Sequence, residues 1–188
     1  MKNKLSLTSF AGTKFLEASV EITKEEYCKI RGWGIPADED PKELGRLVCY
    51  PQPDGKPNNH PDYEGYVSWS PKFAFDAAYR ENGNLTFGHA IEALKQGKRV
   101  AREGWNGKGM FVFMQVPSDI NEGIVPNMQS LPQSVKDEFV RRFDEKRQVP
   151  LTEIHYRNQL AMVYPDNTIY GWLASPSDVL EEDWCILD

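Results

Sequence analysis

Cysteine is scarce: Cys28, Cys49 and Cys185 are odd in number and share no CxxC-type spacing. That argues against a disulfide framework or a thiolate zinc site and leaves reduced, structural thiols. Long apolar runs are missing as well. No segment approaches the roughly 18 to 20 residues that span a bilayer, and Met1-Lys2-Asn3-Lys4-Leu5 lacks the apolar stretch of a secretory signal. The expected location is the cytoplasm, with no membrane partner. Nor is there an excess of base, since 22 Lys and Arg stand against 28 Asp and Glu, for a formal net charge of -6. Division at residue 83 leaves 11 basic and 13 acidic residues before it, then 11 and 15 after it. Neither half is a basic arm, so a nucleic acid polymer is not an expected partner. GxSxG, Walker, GxGxxG and HExxH patterns are all absent, and His60, His89 and His155 stand apart without metal-ligand spacing. No catalytic residue, metal or cofactor is expected.

What is present is ordinary globular composition: 40% hydrophobic, 27% charged and 12% aromatic residues. A chain of 188 residues accommodates two small domains, each with its own core. Residues 14–22 read as a strand, and Thr23 with Glu26 forms a capping box opening a short helix that Gly32 ends. Residues 45–50 and 65–69 read as a pair of strands around a Pro/Asn/Gly-rich segment, and Ser70-Pro71 reads as a serine-capped helix start. The polar break Glu81-Asn82-Gly83-Asn84 is taken as a boundary, giving domains 1–83 and 84–188. In the second domain, Thr86 caps a helix with Phe87, Ala90, Ile91 and Leu94 on one face, and Gly97 closes it. Strands are expected at 99–102 and 110–116, the latter buried on both sides, by the core and by a second subunit or domain. Residues 118–150 read as an inserted lobe. A hairpin is expected across Pro165-Asp166-Asn167, then a helical turn at 177–183 and a closing strand at 184–187. The fold class is α+β: antiparallel sheet packed with short helices.

The chemistry concentrates around Gly104-Trp105-Asn106-Gly107-Lys108-Gly109. Lys95, Lys98, Arg99, Arg102 and Lys108 surround Trp105 with a single nearby acid, Glu103. A local positive patch on an acidic chain points to a specific anionic ligand. An indole face stacks on nucleobases for about 1 to 3 kcal/mol per base, and guanidinium groups grip phosphates in forked geometry. Trp105 equally suits a turn anchored on the core. Trp172 is either core or platform; Ser175, Ser177 and Asp178 suit contacts to sugar hydroxyls, and Ser175 and Ser177 equally suit caps for the following turn. Asp178, Glu181, Glu182 and Asp183 read as a solvated acidic face rather than a catalytic or magnesium-holding group.

Three ordered blocks carry a resemblance. They are Phe87-Gly88-x-Ala90-Ile91-x-Ala93-Leu94-x-x-Gly97, Val100-Ala101-Arg102-x-Gly104-Trp105-Asn106-Gly107-Lys108-Gly109-Met110, and Gly171-Trp172-Leu173-Ala174-Ser175-x-x-Asp178-x-Leu180-x-Glu182-Asp183-Trp184. Over residues 85–188 the chain resembles the phage Thoeris anti-defence family of the second type. The resemblance implies a non-enzymatic sponge, assembled as a homo-oligomer, typically a tetramer. Such a sponge sequesters glycocyclic ADP-ribose made by a bacterial TIR-domain immune protein. Some relatives are similar in also holding cyclic dinucleotides of the CBASS pathway at separate sites. Trp105 and Trp172 match the motif tryptophans and are the stacking candidates, with Arg102, Asn106 and Lys108 for phosphate or ribose, then Ser175 and Asp178. Phe87 matches the helix-start aromatic, walling a pocket or packing beneath it. Residues 1–83 and the lobe at 118–150 are additions to the minimal family pattern.

The expected function is therefore sequestration of a small cyclic nucleotide immune signal without cleavage. Two alternatives belong to other classes. One is a metal-dependent cyclic nucleotide hydrolase using Asp178, Glu182 or Asp183. The other is a protein-binding adaptor that contacts a host factor through Trp33 or Trp69.

Overall fold

The computed structural model describes residues 8–9, 11–53, 55–105, 109–145 and 150–187. The chain divides into two compact units, one ending at Glu81 and the other beginning at Asn82.

The first unit is built around β3 (Leu44–Tyr50). β4 (Tyr66–Pro71) pairs antiparallel along one edge, from Tyr50 opposite Tyr66 to Gly45 opposite Pro71. Two short strands, β1 (Glu17–Ala18) and β2 (Ile22–Thr23), share the other edge. The single strand expected over 14–22 is interrupted between them. The Ser19 hydroxyl accepts the Leu47 N–H at 3.1 Å and the Ser19 carbonyl accepts from Arg46 at 2.6 Å, which leaves Val20 exposed. A side chain competing for a ladder donor breaks the pairing there.

Helix α1 (Lys24–Arg31) starts on the expected capping box. The Thr23 hydroxyl accepts from Glu26 N–H, and the Glu26 carboxylate accepts from Thr23 N–H at 2.7 Å. It ends at Gly32, left-handed at φ 67°, with Trp33 N–H reaching back to the Cys28 carbonyl. Tyr27 and Cys28 on its inner face pack with Leu47, Cys49 and Val67 as the core. Helix α2 (Lys72–Ala78) follows β4 directly. Its expected serine cap is not formed: Ser70 stays in the ladder opposite Arg46, and Pro71 occupies the cap position without a side-chain bond.

The second unit is a five-stranded antiparallel sheet. Its strands are β5 (Arg99–Arg102), β6 (Phe111–Gln115), β9 (Gln159–Val163), β10 (Ile169–Gly171) and β11 (Trp184–Leu187). Their spatial order is β10-β9-β6-β5-β11. Helix α3 (Phe87–Lys95) contributes Ala90, Ala93 and Leu94 to the core, which meet Val100, Val112, Met162 and Trp184 among the buried residues. Gly97 closes the turn after α3 at φ 79°. The β9–β10 hairpin forms as expected, with Asn167 at φ 63° in its turn. Within this one chain the burial of the strand expected over 110–116 is partial. Val112 alone is fully buried there, and Val116 is 76% exposed.

The segment read as a lobe over 118–150 runs on to residue 156 in the fold: it holds β7 (Ser118–Asn121), helix α4 (Gln133–Asp144) and β8 (Glu153–Tyr156), with β7 and β8 paired as a separate two-stranded sheet. The short helix α5 (Pro176–Leu180) precedes β11.

Candidate functional site

Sheet register assembles the site. In the β5–β11 pairing Arg102 lies opposite Trp184, and a 3-10 turn at Glu103–Trp105 follows β5 directly. That brings Trp105 beside the end of β11. Trp172 follows β10 and is held by its N–H on the Leu160 carbonyl at 2.8 Å. Phe87 is the first residue of α3.

These elements gather three rings around Trp184, which is fully buried. Phe87 and Trp105 each lie 5.4 Å from it between ring centroids, and Trp172 lies 6.1 Å away. Trp105 and Trp172 meet each other edge to face at 5.8 Å and 83°. Phe87 reaches Trp172 at 6.3 Å. Such pairs contribute about 0.5–1.5 kcal/mol each beyond area burial, because the positive edge of one ring faces the negative face of another. Phe87, Trp105 and Trp172 are half-buried. Core anchoring and a partly accessible indole face therefore coexist in the same two tryptophans.

An ion-paired layer adjoins the rings. Arg102 donates from Nε and Nη2 to both oxygens of Asp183, at 2.7 and 3.2 Å, and from Nη1 to Asp178 at 2.9 Å. Glu181 lies at 3.9 Å. Asp178 also caps α5. Its second oxygen accepts from the Ser175 hydroxyl at 2.7 Å and the Ser175 N–H at 2.9 Å. The Asp178 carbonyl accepts from the Trp184 indole N–H at 2.9 Å, which ties the acid layer to the central ring.

The electrostatics follow the contacts. Burial pushes the Asp178 carboxyl up, but the Ser175 donors and the Arg102 guanidinium outweigh it and hold it below the usual aspartate value. Asp183 is lowered chiefly by its bonds from Arg102. The arginine in turn is held more firmly protonated than usual by Asp183 and Asp178.

The expected site residues divide accordingly. Phe87, Trp105, Trp172, Arg102, Ser175 and Asp178 are brought into one neighbourhood, whereas Asn106 and Lys108 lie outside the described residues. Ser175 caps the following turn, the alternative given for it, and Asp178 completes a reciprocal capping box that was not expected of it. The reading of Asp178, Glu181, Glu182 and Asp183 as a solvated acidic face is corrected for the two aspartates, because Asp178 is only 8% exposed and Asp183 shares its guanidinium partner, whereas Glu181 and Glu182 are exposed. Three of the five guanidinium donors of Arg102 go to carboxylates, and its side chain is 14% exposed. Trp184 is the residue missed as a site member. Its signal lay in the pairing of the closing strand with β5, which puts it across from Arg102.

The histidines are not isolated. His60 bonds the Ile30 carbonyl, His89 accepts at Nδ1 from the Thr86 N–H and hydroxyl, and His155 meets Asp119 at 2.6 Å.

The second unit is thus a small α+β domain, an antiparallel sheet with a tryptophan cluster braced by an arginine–aspartate layer at the end of α3. Residues 85–187 match the Thoeris anti-defense 2-like domain, and the chain belongs to that family. It is also 36% identical over 103 residues to Thoeris anti-defense 2 of Bacillus phage SP01, an alignment covering 55% of this chain and 94% of that protein. Family membership gives the chain a phage anti-defence role. No helix among the described residues is long and apolar enough to cross a membrane.

Proposed function

We propose that the domain over 85–187 binds a small cyclic nucleotide immune signal and holds it without cleaving it. Glycocyclic ADP-ribose is the first candidate, and cyclic dinucleotides are the second. The observation that carries this reading is the pair Trp105 and Trp172, both half-buried, 5.8 Å apart and nearly perpendicular around a buried third indole. A base stacked on one ring would meet the edge of the other, and water is excluded from the floor by Trp184. Sequestration needs affinity and no turnover. Asp178 and Asp183, two of the three acids the hydrolase alternative would use, are engaged by Arg102, which favours binding over hydrolysis.

A homo-oligomer belongs to the same reading. Leu173 and Leu180, flanking the site residues in sequence, are 93% and 79% exposed, an apolar surface suited to burial against another copy.

The test is calorimetric titration of the full chain with glycocyclic ADP-ribose, followed by heat denaturation and analysis of the released nucleotide. Intact nucleotide and about a tenfold or greater loss of affinity in Trp105→Ala are expected, from stacking worth about 1–3 kcal/mol. Recovery of cleaved product, or unchanged affinity in that variant with its fold retained, would overturn the reading.

A further inference from the structure

Outside the aromatic site, the described residues bring one group of three metal-type donors together: Asp119, Glu153 and His155. Strand register explains the convergence. Asp119 pairs directly with His155 across the β7–β8 ladder, and Glu153 precedes His155 by two positions. Side chains alternate between faces along a strand, so all three project from the same side. Ile120 and Ile154, half-buried, take the other side. The donor atoms all lie within 4.8 Å of one another. Two ligands on one zinc ion, each bonded at about 2.0–2.2 Å, sit up to roughly 4 Å apart. Small rotations of exposed side chains close the difference.

The lobe itself supplies a separate argument. Val125 is the one buried side chain among its described residues 118–156, and α4 buries none. An isolated two-stranded ladder is marginal in water. β7 and β8 nevertheless bracket residues 122–152, and they share no sheet with the rest of the domain. A weakly cored segment of this kind is where a structural metal contributes most, because ion binding adds directly to folding.

We propose that Asp119, Glu153 and His155 form a divalent transition-metal site, of the zinc class, that fastens the two ends of the inserted lobe. One imidazole nitrogen with two carboxylates fits zinc-class ions, whereas magnesium and calcium favour all-oxygen sets. Three protein ligands on an exposed face leave the remaining positions to water.

The experiment is calorimetric titration of the full chain, stripped with a chelator, with zinc chloride alone. Limited proteolysis in the presence and absence of zinc accompanies it. The expected result is about one zinc per chain, slower cleavage within 122–152 on zinc addition, and at least roughly tenfold weaker binding in His155→Ala and Glu153→Gln. Absence of zinc uptake would overturn the proposal, as would uptake unchanged in both variants or magnesium binding as tightly as zinc. Should His155→Ala fail to fold, Glu153→Gln at its exposed position decides the matter by the same affinity criterion.

Discussion

Tyr27, Trp33 and Trp69 form a cluster in the first unit, and Phe87, Trp105, Trp172 and Trp184 form one in the second, with positive charge deployed differently in each. In the first, the Arg31 guanidinium lies 4.3 Å from the centre of the exposed Trp33 ring and the Lys24 ammonium 5.2 Å from that of Trp69. These cations cover ring faces and also reach oxygens, Lys24 pairing with Glu39 at 2.6 Å and Arg31 donating to the Asn59 carbonyl at 3.0 Å. In the second, Arg102 turns to carboxylates and the rings meet one another edge to face. The arrangement of indole beside cation that the sequence around Trp105 advertises is thus displayed most openly by the unit outside the family match. The family domain instead uses its arginine to lock the chain segments that carry its tryptophans. Rings held this way are preorganised, which lowers the entropic cost of capturing a rigid ligand.

The largest separation between the two clusters should come from removing their arginines. Arg102→Ala leaves two poorly solvated carboxylates without their cation, and a loss of about 3 kcal/mol is expected. Arg31→Ala removes a cation over an exposed ring and should cost about 1 kcal/mol or less. Urea unfolding monitored by tryptophan fluorescence measures both. Equal losses would erase the distinction between a locking arginine and a stacking one.

A second contrast runs along the pH scale. Asp178 and Asp183 have lowered folded values, so the stability they contribute is present above the ordinary aspartate value near ~3.9 and is lost as pH falls through the folded ones. Tyr27 behaves in the opposite sense. Burial raises its phenol above the ordinary value near ~10, so its contribution is present below that value and disappears as pH rises through the folded one. Acid should therefore loosen the second cluster first and alkali the first. Asp183→Asn should weaken the acid response and Tyr27→Phe the alkaline one, read by near-ultraviolet circular dichroism across both ranges.

Much of this was legible in local sequence. The Thr23–Glu26 box, the Gly32 and Gly97 helix ends and the Asn167 turn all depend on neighbours within a few positions, where propensity and capping rules hold. The motif blocks pointed to Phe87, Trp105 and Trp172 together, and these three rings do share one cluster. The fate of Arg102 was not, because its partners lie 76 and 81 positions away and arrive only through the β5–β11 register. The same reason hid Trp184 at the centre of the rings, and His155 against Asp119 across 36 positions. Ser19 and Ser70 misled for a different reason. A short hydroxyl side chain serves a cap, a ladder break or a strand equally well, and tertiary pairing chose.

The smallest effect provides the sharpest comparison, because its sign depends on one hydrogen bond. Trp69 packs against Tyr27 and Trp184 lies among three rings, but the Trp184 indole N–H donates to the Asp178 carbonyl, while the Trp69 indole N–H is buried with no hydrogen-bond partner. Trp184→Phe removes a satisfied donor and orphans a carbonyl at the head of the acid layer, so a loss of roughly 1–3 kcal/mol is expected. Trp69→Phe deletes a donor that already bears its desolvation cost. Its lost packing is offset by relief of that burial, and the net change should lie within about 0.5 kcal/mol, of either sign. Phenylalanine also keeps a ring beneath Lys24, so the cation contact is weakened rather than abolished. Differential scanning calorimetry of the two variants decides it: a Trp69→Phe loss as large as that of Trp184→Phe would mean that the bond to Asp178 adds nothing to the second cluster.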